Sequence, residues 1–400
     1  PSNPAEVQGG TQDNGTWSNN DPEGSQNDWP QNIYGDGGNS GYDAAMPTWR
    51  FNEFTGPFSD ANFENGAATK WVFISEPLFD SREAVGFYWP EIGDPNPPTS
   101  AHPIFSGLQH VWRSWAFGAG ANPTAVPQNT TPAIATYEAN CADLTTDGTG
   151  CGDFQPLGGP YCDGLSSTTT IPSCGNTPGD LTGTVYGSDR GGGAISWLAR
   201  NKTDHGTLWA TTSAGRIFVT HNADASDPST VTWHRIDNAT SPTRFPSSIY
   251  PDPANVNHAW ITYSGYNATT PTVPGHVFEA LEGGATAGSG TFTNLNVEAG
   301  TATFPTPTGT GDLPVNDIVR DDARKNLYVA TDFGVLLGNS DGKGGWKVTP
   351  GLPRFEITHL EIEPSARVPT CVGTGKKGCP NLIYAATHSQ GMWKLPLGGQ

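Results

Sequence analysis

Short apolar runs of four to seven residues, broken by clusters of Gly, Pro, Asn and Asp, run the length of the chain. Apolar positions at helical spacing are almost absent, so the pattern predicts an all-β protein. The last 220 residues repeat themselves. Thr207–Phe218, Asn326–Leu337 and Leu382–Trp393 share one skeleton: an apolar strand, Ala-Thr, two or three loop residues, Gly, then a second apolar strand. A weaker copy runs from Ala259 to Gly265 and resumes at His276–Leu281. Each copy follows a further short strand: Ile195–Leu198, Pro246–Tyr250, Val315–Val319 and Ile357–Ile362. Four short antiparallel strands per period of roughly 50 residues predict the blades of a β-propeller.

The first 120 residues read as two more divergent units, one from about Val7 to Arg50, the other holding Lys70–Ser75 and Ile104–Phe117. The chain is therefore expected to form one propeller domain, residues 1–400, with about six recognisable four-stranded blades. Residues 121–183, rich in Thr, Pro, Gly and Asn and poor in apolar residues, are expected to be a disulfide-pinned loop insertion within it.

Composition narrows the function classes. The net charge is −19, and the first 200 residues hold 22 acids against 6 bases. Such a surface repels phosphates, which argues against a nucleic-acid partner and leaves glycans, proteins and metal cations. No stretch reaches the ~20 apolar residues of a membrane helix, so no helical span is expected. Thirteen Trp, 11 Tyr and 17 Phe supply core and argue against disorder. Six cysteines fall in three close pairs: Cys141 with Cys151, Cys162 with Cys174, and Cys371 with Cys379. Zinc sites use tighter spacings, so local disulfides are expected, and with them a secreted or cell-surface location.

Two loops concentrate polar chemistry. Gln12-Asp13-Asn14-Gly15 reads as a tight turn, since Asp-Asn-Gly suits positive φ, or as a calcium or sugar-hydroxyl site. Asp36, flanked by glycines, reads either as a turn residue or as a ligand that a substrate approaches closely. Calcium near Asp13 or Asp36 is the expected cofactor. Trp17, Trp112 and Arg113 are candidate ligand contacts, although repeat tryptophans more often serve the core between blades. Asp332 and His388 stand at the same place in two repeats, just after Ala-Thr, and are candidates for ligand binding at a channel mouth.

Gly9–Trp17 followed by Tyr34-Gly-Asp-Gly-Gly38 resembles bacterial secreted propellers of the BNR/sortilin-like superfamily, often labelled sialidase-like or glycosyl hydrolase. Gly107-Leu-Gln-His-Val-Trp-Arg113, Gly275–Phe278, Ala330–Val335 and Ala385–His388 carry the same likeness, and degenerate Asp-boxes occur at Asn339–Trp346 and Asn222–Trp233. The resemblance implies the propeller fold and leaves activity open, because the superfamily mixes glycosidases, receptors and others. No Phe-Arg-Ile-Pro motif is present and the chain has few arginines, which argues against a sialidase. In xyloglucanase-like members two Asp in Gly-rich loops do the chemistry; Asp36 resembles one, and Asp332 the local pattern of the other.

The sequence thus points to an extracellular propeller that binds a glycan or a protein. The rival is a glycoside hydrolase using Asp36 and Asp332 as paired carboxylates. Six blades, with the Gly-Gly-Thr-Gln-Asp-Asn-Gly motif at the very start, also raise the expectation of a larger propeller completed by another chain or a cleaved N-terminal fragment.

Overall fold

The computed structural model describes residues 6–19, 28–98, 101–120, 134–142, 151–159, 177–295, 312–342, 345–364 and 381–397. Among them seven separate antiparallel sheets follow one another in chain order, each with its strands joined next to next. Blade 1 holds Val7–Thr11, Gly15–Asn19 and Gln31–Ile33. Blade 2 holds Ser40–Tyr42, Arg50–Glu53, Ser59–Asn62 and Trp71–Phe73, and blade 3 holds Glu91–Gly93, Ile104–Gly107, Val111–Ser114 and Gln155–Pro156. Blade 4 is Ile195–Arg200, Leu208–Thr212, Ile217–Thr220 and His234–Arg235. Blade 5 is Pro246–Pro251, His258–Tyr263, Val277–Leu281 and Thr291–Asn294. Blade 6 is Val315–Asp321, Asn326–Thr331, Gly334–Asn339 and Lys347–Val348, and blade 7 is Ile357–Glu363, Asn381–Thr387 and Met392–Leu397.

The chain divides into two compact units, one of Ala5–Thr212 with Arg216–His234, the other of Ser213–Gly215 with Arg235–Gln400. Within each unit, apolar cores lie between neighbouring sheets. In the first unit Trp49, Phe51, Val72, Trp89, Trp112 and Phe154 join blades 2 and 3. In the second, Trp260, Val277, Val315, Leu327 and Trp346 join blades 5 and 6, and Tyr328, Val335, Leu360 and Ile383 join blades 6 and 7. Each strand is half a core for the neighbour on either face, which is why the repeat strands read as continuous apolar runs.

All four predicted repeats are blades, and their boundaries agree with the apolar runs. The count of six is corrected to seven. The sequence reading divided the first 120 residues into two units, whereas they contain three sheets. Blade 2 escaped because its buried positions are polar. Arg50, Asn52, Glu53, Ser59 and Asn62 are all inaccessible to solvent. They are held by specific partners: Asn52 bonds Thr16, Ser59 bonds Glu91, and Asn62 accepts from the amides of Glu64 and Gly66. Buried polar side chains survive only when so paired, and their strands carry no apolar alternation.

Within residues 121–183, Gln155–Pro156 pairs with Arg113 and Trp112 as the fourth strand of blade 3. Phe154, Leu157 and Leu181 are fully buried. Ile134–Cys141 forms a short helix, and Cys141 is bonded to Cys151 with the Cα atoms 5.8 Å apart, as expected for that pair. The other two expected disulfides, Cys162 with Cys174 and Cys371 with Cys379, differ from it in position: Cys162, Cys174, Cys371 and Cys379 all lie outside the described residues. No helix among the described residues is long and apolar enough to cross a membrane.

Candidate functional site

The blade repeat makes a recurrent turn between the second and third strands. Thr331 Oγ1 donates to the Gly334 carbonyl at 2.8 Å, and Thr387 Oγ1 to the Gly391 carbonyl at 2.7 Å. Thr11 Oγ1 donates to the Gly15 carbonyl at 2.8 Å in the same way. The Gly9–Trp17 motif is therefore this turn in blade 1, whose three strands match the second to fourth strands of the others. Thr11–Trp17 and Thr387–Trp393 agree closely. The third turn residue is left-handed in both, Asp13 at φ 62° and Ser389 at φ 74°. In both, the indole N–H of the tryptophan donates back to a turn carbonyl, Trp17 to Asn14 at 2.8 Å and Trp393 to Gln390 at 3.2 Å.

In the first unit the loop after blade 1 folds onto this turn. Asp36 Oδ1 accepts the Asp13 amide at 2.9 Å, Gly35 accepts from the Gly15 amide at 2.6 Å, and Thr11 accepts from the Gly37 amide at 3.1 Å. A Cβ on Gly10 would stand 2.3 Å from the Gly38 carbonyl oxygen, and one on Gly37 2.5 Å from that of Gly15. The glycines serve backbone-to-backbone packing. Asp36 caps the turn, and Gln12, Asp13 and Asn14 stay exposed at the surface.

Aromatic rings stand in the loops that follow blades 1 and 2. Tyr34 is 82% exposed and Phe87 61%. Phe87 meets Tyr88 edge-on with ring centroids 5.0 Å apart, and the Phe87 carbonyl accepts from the Gly56 amide. Tyr88 lies against Gly38, and Phe54 against Gly35. The Tyr88 hydroxyl is shielded from water and has no hydrogen-bond partner among the described residues. Burial, followed by the negative charges of Asp36, Glu53 and Asp13, pushes this phenol up to about 12. Beneath, Glu53 is fully buried and accepts from Asn39 and from the Trp89 amide. Burial first, and the Glu91 carboxylate second, raise its pKa well above the ordinary value.

Two of the expected ligand contacts are corrected. Trp112 and Arg113 are buried, at 0% and 1% exposure. Trp112 donates to Glu83, while Arg113 donates to the carbonyls of Ala223 and Ala225 and stacks over Trp115 at 4.2 Å. Both hold blade 3 and its neighbour together. Trp17 is only partly exposed.

Asp332 and His388 belong to the second unit, Asp36 to the first. Asp332 is partly exposed and accepts a long contact from Asn316 at 3.4 Å; burial first, and Glu356 next, raise its pKa. His388 is an exposed side chain paired with Glu356 at 2.7 Å. Glu356 thus links the two predicted positions, Asp332 through its field and His388 by contact. The Asp-box-like segments end on Trp233 and Trp346. Both are buried just before the fourth strand of their blades, and their indoles donate to Leu157 and Leu295.

Sequence reasoning missed Phe87 and Tyr88, whose rings meet in the loop between blades 2 and 3 and of which Tyr88 reaches Gly38 in the loop after blade 1. The one signal was the run Phe87-Tyr88-Trp89 beside a proline.

No known family's sequence profile matches this chain, and no curated protein matches it. Solved structures do. The β-propeller domain of Myceliophteria thermophila Cps50 (Swd1) has 10% identity and a TM-score of 0.51, over 98% of this chain and 92% of that one. The fold is a seven-bladed β-propeller. A chain of the mitotic checkpoint complex has 8% identity and a TM-score of 0.50, over 98% of this chain and 83% of that one. An ancestral GH74 enzyme has 12% identity and a TM-score of 0.45, over 90% of this chain but 38% of its own. At these identities the likeness speaks for the fold alone.

Proposed function

We propose that this chain is an extracellular, BNR/sortilin-like propeller that binds a glycan at the loop surface of blades 1 and 2. The observation that carries this reading is that the loops following blades 1 and 2 expose the Tyr34 and Phe87 rings and the Asp13 side chain, while Tyr88, the ring neighbour of Phe87, lies in the field of Asp36 and Asp13. Sugar rings stack their C–H faces on aromatics, while their hydroxyls need acceptors and donors at the edge. The strongly acidic first half suits a neutral ligand or one bridged by a cation. Asp13 and Asp36 offer the hard oxygen donors that calcium takes, and a calcium ion there would bind sugar hydroxyls. The Cys141–Cys151 bond supports an oxidising compartment.

The test is a glycan array followed by calorimetry on a positive sugar, with and without calcium. Tyr34→Ala and Phe87→Ala are expected to weaken binding at least tenfold each with unchanged melting temperature. Asp36→Asn is expected to abolish any calcium dependence. Binding indifferent to all three substitutions would place the ligand elsewhere. The glycoside-hydrolase reading calls for Asp36 and Asp332 as a working pair. Asp36 acts as a turn cap and Asp332 is only partly exposed, so no observation favours it over binding.

A further inference from the structure

The turn that carries Gly107–Arg113 holds a second constellation in the first unit. Glu83 lies in the loop between blades 2 and 3. One of its carboxylate oxygens, Oε2, accepts from the amides of Gln109 and His110, both at 2.9 Å, and from the Trp112 indole at 3.3 Å. The other, Oε1, stands 2.7 Å from His110 Nδ1. On the far side of the ring, His110 Nε2 stands 2.8 Å from Thr177 Oγ1. Burial works against charge on Glu83, yet the His110 contact and the N–H donors hold its pKa below the ordinary value. Glu83 Oε2 already accepts three N–H groups, and with the imidazole proton on Nδ1, facing Oε1, the Nε2 lone pair is left to take the Thr177 hydroxyl proton.

The surroundings fix this arrangement. Glu83 and His110 are buried, at 8% and 1% exposure, whereas Thr177 is partly exposed. A Cβ on Gly159 would lie 2.9 Å from Thr177 Oγ1 and 3.4 Å from His110 Nε2, and one on Gly179 would lie 2.6 Å from His110 Cδ2. Only backbone fits against both sides of the His–Thr contact.

We propose that Thr177 is a nucleophilic hydroxyl, with His110 as its general base and Glu83 as the residue that orients the imidazole, and that it accepts acyl groups from carboxylic esters. Carboxylate, imidazole and hydroxyl in series are the parts acyl transfer requires. The balance is simple. The Thr177 Oγ–H bond breaks, its proton passes to His110 Nε2, and Oγ bonds the ester carbonyl carbon. The carbonyl–alkoxide bond then breaks and the leaving oxygen takes the proton from Nε2. Water, deprotonated by the same nitrogen, later releases the acid and restores the threonine.

The test incubates the full chain with p-nitrophenyl acetate, follows nitrophenol release, and maps acetylated peptides by mass spectrometry. The expected result is one acetyl group on Thr177 in the wild-type protein. Thr177→Val and His110→Gln are expected to lower the release rate by about 10²–10⁴-fold, with melting temperature as the check on folding. Thr177→Ser keeps a hydroxyl and is expected to remain acylated on the same peptide. Glu83→Gln is expected to displace the acid limb of the pH–rate profile, which the loss of a merely structural contact would leave in place. Nitrophenol release without acetyl on Thr177, no release at all, or a folded Thr177→Val variant at the wild-type rate would overturn the proposal. The wild-type map decides even if every variant fails to fold.

Discussion

The turns Thr11–Trp17 and Thr387–Trp393 are the same backbone solution placed in two different settings. Both close with a threonine hydroxyl, carry a left-handed third residue, end on a positive-φ glycine and are tied by a tryptophan. Around the first, the following loop is pressed so close that only glycine fits, and the side chains brought in are acidic and aromatic. Around the second the space is open, and the partner is a single exposed His388–Glu356 pair. The turn is scaffold; the loop laid against it decides the chemistry.

The largest test of this contrast is a glycine substitution made at equivalent positions. A Cβ at Gly15 would meet the Ile33 carbonyl oxygen at 2.2 Å, whereas one at Gly391 meets nothing within 4 Å, although φ is 77° and 72°. Gly391→Ala is expected to cost only the left-handed conformation, about 1–2 kcal/mol. Gly15→Ala adds overpacking of about 1–3 kcal/mol. Denaturant midpoints at constant m-value read both, and equal losses would refute the close packing of blade 1.

Next in size is pH. In the first unit, burial raises Glu91 to about 7. The native state then holds a proton that the unfolded chain has lost, so stability is full below about 4.5 and falls as pH rises toward 7. The slope approaches about 1.4 kcal/mol per pH unit. In the second unit burial opposes charge on His359, but the Asp317 carboxylate 2.8 Å away pushes it up to about 9. Its contribution is full below about 6.5 and lost as pH rises through 9; the side chain is 54% exposed, so screening keeps it small. Hydrogen exchange across this range is expected to show blade 2 and 3 amides loosening first, and blades 6 and 7 only in alkali. Simultaneous loosening would break the comparison.

The threonine caps sharpen it from the other side. Thr11→Val and Thr387→Val each remove one hydrogen bond and are expected to cost about 0.5–1.5 kcal/mol alike, by the same denaturant measurement. The smallest effect belongs to His388→Gln, an exposed pair whose loss is expected within about 1 kcal/mol. A larger loss there would mean that His388 supports more than its own turn.

Blades 4 to 7 were legible because their strands pack apolar faces on both sides, so the runs ending in Ala-Thr stand out. The equal places of Asp332 and His388 were legible for the same reason, as a repeat fixes register. Blade 2 was not legible, because Arg50, Asn52, Glu53 and Asn62 are buried by pairing rather than by hydrophobicity. Trp112 and Arg113 looked like ligand contacts, but whether an indole or guanidinium meets a ligand or a neighbouring carbonyl depends on what packs above it.

The sequence by itself determined the all-β class, the blade period, the repeated turn and the acidity of the first half, since these depend on local pattern and composition. Only the tertiary structure decided the seventh blade, the capping of Asp13 by Asp36, the Tyr88 ring set against Gly38, and the line from Glu83 through His110 to Thr177. Those groups lie 23, 27 and 67 residues apart along the chain at their linking contacts. Contacts at such separations are made by loops from different blades meeting at one end of the sheets, and no periodicity along a strand encodes where two loops meet.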